Sequence, residues 1–409
     1  MTRKELHAEL SEVLYIEDFN LIDTLLAVVL ANAKGIGDPV WMTLIGPSSG
    51  GKSQYIRPLA KANPSLFLQL DDLTSNTLIS GNGEKDSLIF RIKERGIITM
   101  DDFTVLGSKN AEDRNAILSQ FRMIYDGRMT KASGKNGAEP ITWTGHAGMI
   151  AGSTPQIYKL FAEVADMGER FIYYRMKDMD EDKAIEFVQR KGLSAKETDE
   201  KLKDIYGRYF AAMMDRVEQM PDVEVDEETQ QAILSIAKSG TRLRTPVITD
   251  EREHFVSEKP VSELPFRVMK QLTNIAKAFT VMHFSETGEK VLPPELRTAI
   301  EWLGYSLADD KRRAYFKAII AMESTYIEGT SKTFKATARN ISAYTGLHHT
   351  AVERGMSVLS AIGVVKQNVA THDSEAKSWS IVDNNLKEIV KRIDPPTNVN
   401  AEDYQNETE

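Results

Sequence analysis

Eight consecutive residues, Gly46-Pro47-Ser48-Ser49-Gly50-Gly51-Lys52-Ser53, carry the densest chemistry in this chain. They satisfy G-x-x-x-x-G-K-[ST] at every fixed position. Glycines at this spacing let backbone N–H groups turn inward, and the start of a following helix adds its own donors, so the segment cradles phosphate oxygens. The pattern predicts that Gly46, Ser48, Ser49, Gly50, Gly51, Lys52, Ser53 and Gln54 line a nucleotide. Lys52 then reaches the β- and γ-phosphates and the Ser53 hydroxyl holds Mg²⁺, which makes ATP and Mg²⁺ the expected cofactors. The pattern needs a strand before it and a helix after it. Trp41-Met42-Thr43-Leu44-Ile45 reads as the strand, and Gln54 to Ala62 begins the helix.

A second carboxylate-bearing strand follows. Ile97-Ile98-Thr99-Met100 runs into Asp101-Asp102, a Walker B pattern. Asp101 is expected to hold the Mg²⁺ shell, directly or through water. Asp102 is expected to polarise the attacking water; the alternative is a strand-end turn capped by an aspartate. The run His146 to Gly152 ends in Ser153-Thr154, and a polar side chain at such a strand tip can touch a γ-phosphate or the attacking water. Thr154 or Ser153 is that candidate, against a plain strand-to-loop stop. Arg170 then precedes the strand-like Phe171-Ile172-Tyr173-Tyr174. It is either a surface salt-bridge residue or a cation for the γ-phosphate of a neighbouring subunit.

Taken in order, Walker A, Walker B, the polar strand tip, Gly168-Glu169-Arg170-Phe171 and a helical lid resemble an AAA+ ATPase, in particular the MCM-like replicative helicases of phages and mobile genetic elements. The resemblance spans about residues 10–390. It implies a P-loop NTPase parallel sheet with helical flanks and lid, followed by a C-terminal winged helix. It further implies a homo-hexameric ring with ATP sites between subunits and replication proteins as possible partners. Arg170 matches the family's arginine finger. Arg267, in Leu264-Pro265-Phe266-Arg267, resembles the sensor-2 arginine more loosely. Two positions depart from the family: Asp102 stands where Glu is usual, and Ser153-Thr154 where Asn is usual. Both bear on the rate of hydrolysis.

Two stretches are expected to face DNA. Tyr125 to Trp143 reads as two short strands around a glycine-rich tip with Lys131 and Lys135, the latter inside an Asn-Gly turn signal. It resembles the pre-sensor hairpin that lines the ring pore, where lysines track the phosphates of one strand; otherwise it is a solvated surface hairpin. Near the C-terminus, Thr337–Thr345, Gly346-Leu347 and His349–Ala361 read as helix, turn and helix. Val364–Asn368 and Ser378–Val382 read as wing strands. Such a module sets its second helix in a major groove, with Thr350, Arg354 and Ser357 facing DNA; the alternative is a protein-docking winged helix.

The elements that must position these groups follow from apolar spacing. Residues 1–34 read as helices and residues 35–178 alternate strands with helices. Residues 179–310 are helix-rich, 311–393 form the winged helix and 394–409 an acidic, disordered tail. Strands are expected at Trp41–Ile45, Leu66–Leu70, Gly96–Met100 and Gly148–Gly152. Helices are expected at Asp182–Lys191, Ala195–Val217, Glu227–Lys238, Pro265–His283 and Pro294–Leu307.

The composition, 41% hydrophobic and 27% charged over 409 residues, is that of a globular chain. Its net charge of −9 argues against a coat for nucleic acid. Residues 311–393 nevertheless hold 13 Lys and Arg against 7 Asp and Glu, an asymmetry that suggests a polyanion partner. There is no cysteine, which fits a cytoplasmic location, and no apolar run long enough to span a bilayer. The function expected is an ATP-driven DNA translocase, a helicase or initiator. The rivals are a helicase loader or origin-binding initiator without processive unwinding, a winged-helix transcription regulator, and a defence ATPase.

Overall fold

Strand β1 (Trp41–Ile45) is buried along its whole length, because it lies inside a sheet covered on both faces. In the computed structural model, which describes residues 1–80, 84–132, 140–163 (backbone alone at 161–163), 170–217, 223–250, 256, 258–325, 333–369 and 376–397, chain contacts divide the protein into two units. One is Met1–Gln230 with Arg267–Leu303; the other is Gln231–Phe266 with Gly304–Glu409. Lys135 with its hairpin tip, Gly168, Glu169 and residues 398–409 of the tail lie outside the described residues.

The first unit carries β1, β2 (Phe67–Leu70), β3 (Arg95–Met100), β4 (Arg128–Lys131), β5 (Ile141–Thr144), β6 (His146–Ser153) and β7 (Ile172–Arg175). Five of these make one parallel sheet in the order β2-β3-β6-β1-β7. The expected fold class is met: a parallel α/β sheet behind a phosphate loop, with helical flanks and a C-terminal winged helix. The register aligns Ile45 with both Ser153 and Arg175, and Met100 with Ala151. Gly46, Asp101 and Thr154 therefore leave the sheet along one edge, which is where open parallel sheets bind ligands. Gly152 is required there: a Cβ on it would come within 2.3 Å of the Asp101 carbonyl oxygen. β4 and β5 pair antiparallel, as the hairpin reading expects.

The helices of this unit are α1 (Arg3–Ser11), α2 (Phe19–Lys34), α3 (Lys52–Ala62), α4 (Ala111–Tyr125), α5 (Ile157–Glu163), α6 (Glu181–Lys191), α7 (Ala195–Val217), the start of α8 (Glu227–Leu243), α9 (Phe266–Thr287) and most of α10 (Pro294–Tyr305). Helix α2 is apolar all round from Leu25 to Ala31, so it is buried. Asn32, a polar intrusion in its last turn, is fully satisfied: its amide donates to the carbonyls of Val28 (2.9 Å) and Val40 (3.0 Å) and its oxygen accepts the Val40 N–H (2.9 Å). Trp41 anchors the other end of β1. Its indole N–H donates to the Ala147 carbonyl at 2.7 Å, and its ring meets Tyr125 and Phe171 at 5.4 and 5.2 Å.

Residues 179–310, expected as one lid segment, are shared between the two units. Helix α9 belongs to the first because Gln271 accepts the Trp41 N–H (2.9 Å) and donates to the Arg170 carbonyl (2.9 Å), while Asn274 donates to the Asp38 carbonyl (2.8 Å). The later part of α8 belongs to the second, where Gly240 packs directly on the backbone of Gly304.

The second unit continues with α11 (Asp310–Ser324), α12 (Ala338–Thr345), α13 (His349–Ala361), β8 (Val365–Gln367), β9 (Trp379–Ile381) and α14 (Asn384–Ile393). The antiparallel pair β8–β9 forms the wing. Gly355 lets α13 lie against Tyr315 of α11, whose ring a Cβ would strike at 2.1 Å; the Tyr315 hydroxyl donates to the Ala351 carbonyl at 3.0 Å.

Candidate nucleotide site and nucleic-acid surfaces

The loop after β1 has the backbone a phosphate cradle needs. Ser49 (φ 63°) and Gly51 (φ 79°) are left-handed, and alternating handedness turns successive N–H groups to one side. Ser49 is the one non-glycine with positive φ among the described residues, which is local strain at a functional loop. Gly50 leaves room where a Cβ would sit 3.0 Å from the Pro47 carbonyl oxygen. Helix α3 starts at Lys52 itself, with Gly51 as its N-cap and no side-chain cap, so its first N–H groups are open to an anion. The buried Lys52 ammonium donates to the carbonyls of Gly46 (3.1 Å) and Pro47 (2.6 Å). Burial pulls its pKa below the usual lysine range, and the nearby Asp102 opposes that. Ser53 is half-buried behind it; Ser48, Ser49 and Gln54 are exposed.

Asp101 and Asp102 have different partners. The half-buried Asp101 pairs with Arg57 of α3, a contact that sequence reading missed because Arg57 lies outside the loop pattern. Burial pushes the Asp101 carboxyl above its ordinary value, and Arg57 opposes it. Asp102 is exposed, and its carboxylate caps the 3₁₀ turn Phe103–Ser108 by accepting from the Thr104 N–H (2.9 Å) and hydroxyl. The cap reading and the catalytic reading thus fall on the same residue. At the tip of β6, the Ser153 hydroxyl is spent on the Thr154 carbonyl at 3.1 Å. The Thr154 hydroxyl is buried with no hydrogen-bond partner among the described residues, as are those of Thr43 and Thr99 within their strands. Of the two candidates at the tip, Thr154 is therefore the one with a group to offer.

Arg170 stands at the opposite edge of the sheet. It precedes Ile172, which is level with Met42, so it lies about six residues down from Gly46, roughly 20 Å at 3.3 Å per residue. Its guanidinium donates to Asp126 at 3.3 Å and lies over the Tyr125 ring at 5.5 Å. Burial lowers its pKa, Asp126 opposes this, and the charge of Arg267 lowers it further. Arg267 is also felt by Tyr125. The charges of the two arginines, far apart in sequence, thus reach one another, and Arg170 stands away from its own phosphate loop.

Of the expected DNA contacts, Lys131 is tied down. Its ammonium donates to the Asn76 side chain (2.6 Å) and the Ile79 carbonyl (3.1 Å). On α13, Thr350 and Arg354 are exposed and Ser357 is half-buried, while Val352, Met356 and Leu359 of the same helix fill the core. The three polar residues share one face at i, i+4 and i+7. No group of three or more His, Cys, Asp or Glu placed to hold a metal ion occurs among the described residues, and no helix among them is long and apolar enough to cross a membrane.

No family model matches the chain, and no curated protein matches it. Among solved structures it is similar to the Orc1 protein of Aeropyrum pernix in complex with DNA, at 12% identity and a TM-score of 0.29, with 93% of this chain and 94% of that chain covered. At that score the likeness carries no argument; the fold rests on the sheet order and the loop geometry themselves.

Proposed function

We propose that this chain is an AAA+ ATPase that couples ATP hydrolysis to movement on DNA, as a replicative helicase or initiator. The observation that carries the ATPase reading is the convergence at one sheet edge. The left-handed loop, the buried Lys52, the Asp101–Asp102 pair and the orphaned Thr154 hydroxyl all emerge there. The residues fit Mg²⁺-ATP: loop N–H groups and Lys52 would hold the phosphates, Ser53 and Asp101 would hold the metal, and the metal would supply charge neutralisation. Asp102, once turned from Thr104, and Thr154 would orient the attacking water.

The position of Arg170, roughly 20 Å along the sheet from its own loop, supports a shared site in which its charge would serve the transition state in an adjoining subunit, the arrangement of a ring.

DNA binding rests on the polar face of α13 and on the β4–β5 hairpin. One observation favours the second reading, an origin-binding initiator or loader without processive unwinding. Lys131 is engaged within the fold, which leaves the winged helix as the stronger DNA surface. ATP-dependent unwinding of 3′- and 5′-tailed forks by the purified protein separates the two. Unwinding supports the translocase; duplex binding and ATPase without unwinding support the initiator.

A further inference from the structure

Beside the phosphate edge lies a cavity of about 360 Å³, lined by Thr104, Gly107 and Ser108 of the turn after Asp102, by Arg114 of α4, and by Gln156, Ile157, Lys159 and Leu160 after Thr154. Its lining holds two cations, two hydroxyls and an amide and, among the described residues, no carboxylate. The Lys159 ammonium has no hydrogen bond or ion pair among the described residues. The cavity joins the candidate site on two sides. Thr104 donates its N–H and hydroxyl to Asp102, and Gln156 follows two residues after Thr154. A cationic chamber next to the residues that would face a γ-phosphate is suited to a small dianion leaving that position.

We propose that this cavity receives the inorganic phosphate released by hydrolysis and is its route to solvent. The proposal rests on the ATPase reading. When water attacks the γ-phosphorus and the bond to the ADP oxygen breaks, the products are ADP, hydrogen phosphate and one proton, which passes by way of the Asp102 carboxylate to solvent, and the negative phosphate oxygens must leave Lys52. Lys159 and Arg114 offer the next positive potential along the way. The cavity exceeds the size of one phosphate, so the ion enters with part of its water shell.

The test is a single-turnover experiment on the full chain. Rapid quench measures ADP formation, and a fluorescent phosphate-binding protein measures release. Lys159→Glu is expected to slow phosphate release fivefold or more and to leave ADP formation and KM for ATP within twofold. Lys159→Arg is expected to behave as wild type. Added inorganic phosphate should inhibit steady-state turnover of the wild type more strongly than that of Lys159→Glu. Unchanged release in Lys159→Glu, with a normal ADP burst, overturns the exit route alone. Absence of ADP formation in the wild type overturns the ATPase reading, and the route with it.

Discussion

The carboxylate of Asp102 accepts two hydrogen bonds from Thr104, one from its backbone N–H at 2.9 Å and one from its hydroxyl. This conformation serves the turn that follows β3, and turning the carboxylate to a water over the phosphate loop would mean giving up these bonds. Removing the hydroxyl while keeping the backbone bond should ease the reorientation. A hydrogen bond to a charged group is worth about 1.5–3 kcal/mol, so Thr104→Val should raise kcat by roughly tenfold or more, as steady-state ADP release reads it. Asp102→Glu, with a longer arm, should also speed turnover, and Asp102→Asn should slow it by about 10²-fold. A slower Thr104→Val enzyme would instead mean that Thr104 aims Asp102.

The phosphate loop, β1, α7 and α13 were legible because their signals are local: fixed motif spacing or uninterrupted apolar periodicity. The Asp102 cap was legible too, since Asp102-Phe103-Thr104 offers an aspartate two residues before its donor. The Arg57–Asp101 pair and the electrostatic coupling of Arg170 with Arg267 were not. Each joins elements far apart in sequence, which local spacing and periodicity do not relate. Lys131 shows the same limit. Its place on a hairpin suggested a free charge, but its partners Asn76 and Ile79 sit in a loop with no periodic signal.

Lys131 separates anchoring from DNA binding. If its bonds to Asn76 and Ile79 are its main role, Lys131→Met should lower stability by about 1 kcal/mol, reduced by its partial exposure. The salt dependence of single-strand binding should then stay unchanged. A role on DNA predicts the reverse: normal melting, with the slope flattened by about 0.7 log units per log salt. Thermal melting and binding titrations at several salt concentrations distinguish the two.

Arg354 carries the duplex prediction. Arg354→Ala should weaken duplex binding and reduce the salt slope by about 0.9 for each phosphate no longer neutralised, with basal ATPase unaffected. Gly355→Ala should weaken it for a different reason, since the new Cβ strikes Tyr315 and displaces the whole of α13. Its salt slope should stay closer to that of the wild type than the slope of Arg354→Ala does. Fluorescence anisotropy on the two variants side by side reads the difference between a missing charge and a shifted helix.

Asp394, just after α14, pairs with Arg313 at 2.8 Å and Lys317 at 3.0 Å. Burial alone raises its pKa, but the two cations outweigh burial and the net shift is downward. A carboxylate depressed in the folded state adds stability that is present above its unfolded value. That stability is lost as pH falls through the folded one. Stability of the second unit should therefore fall in the acid range below the ordinary aspartate value. Asp394→Asn should cost on the order of 3 kcal/mol at neutral pH and flatten that acid step in denaturant titrations.

The central claim is that a nucleotide bound at Lys52 of one chain is completed by Arg170 of another. Lys52→Ala and Arg170→Ala proteins, each checked for wild-type melting, are assayed for ATP hydrolysis alone and mixed in the presence of DNA. Each alone should be nearly inactive. The mixture should exceed the sum of the two, because an intact loop in the Arg170→Ala chain meets an intact arginine in the Lys52→Ala chain. No gain at any mixing ratio, or wild-type turnover by Arg170→Ala alone, would contradict the account.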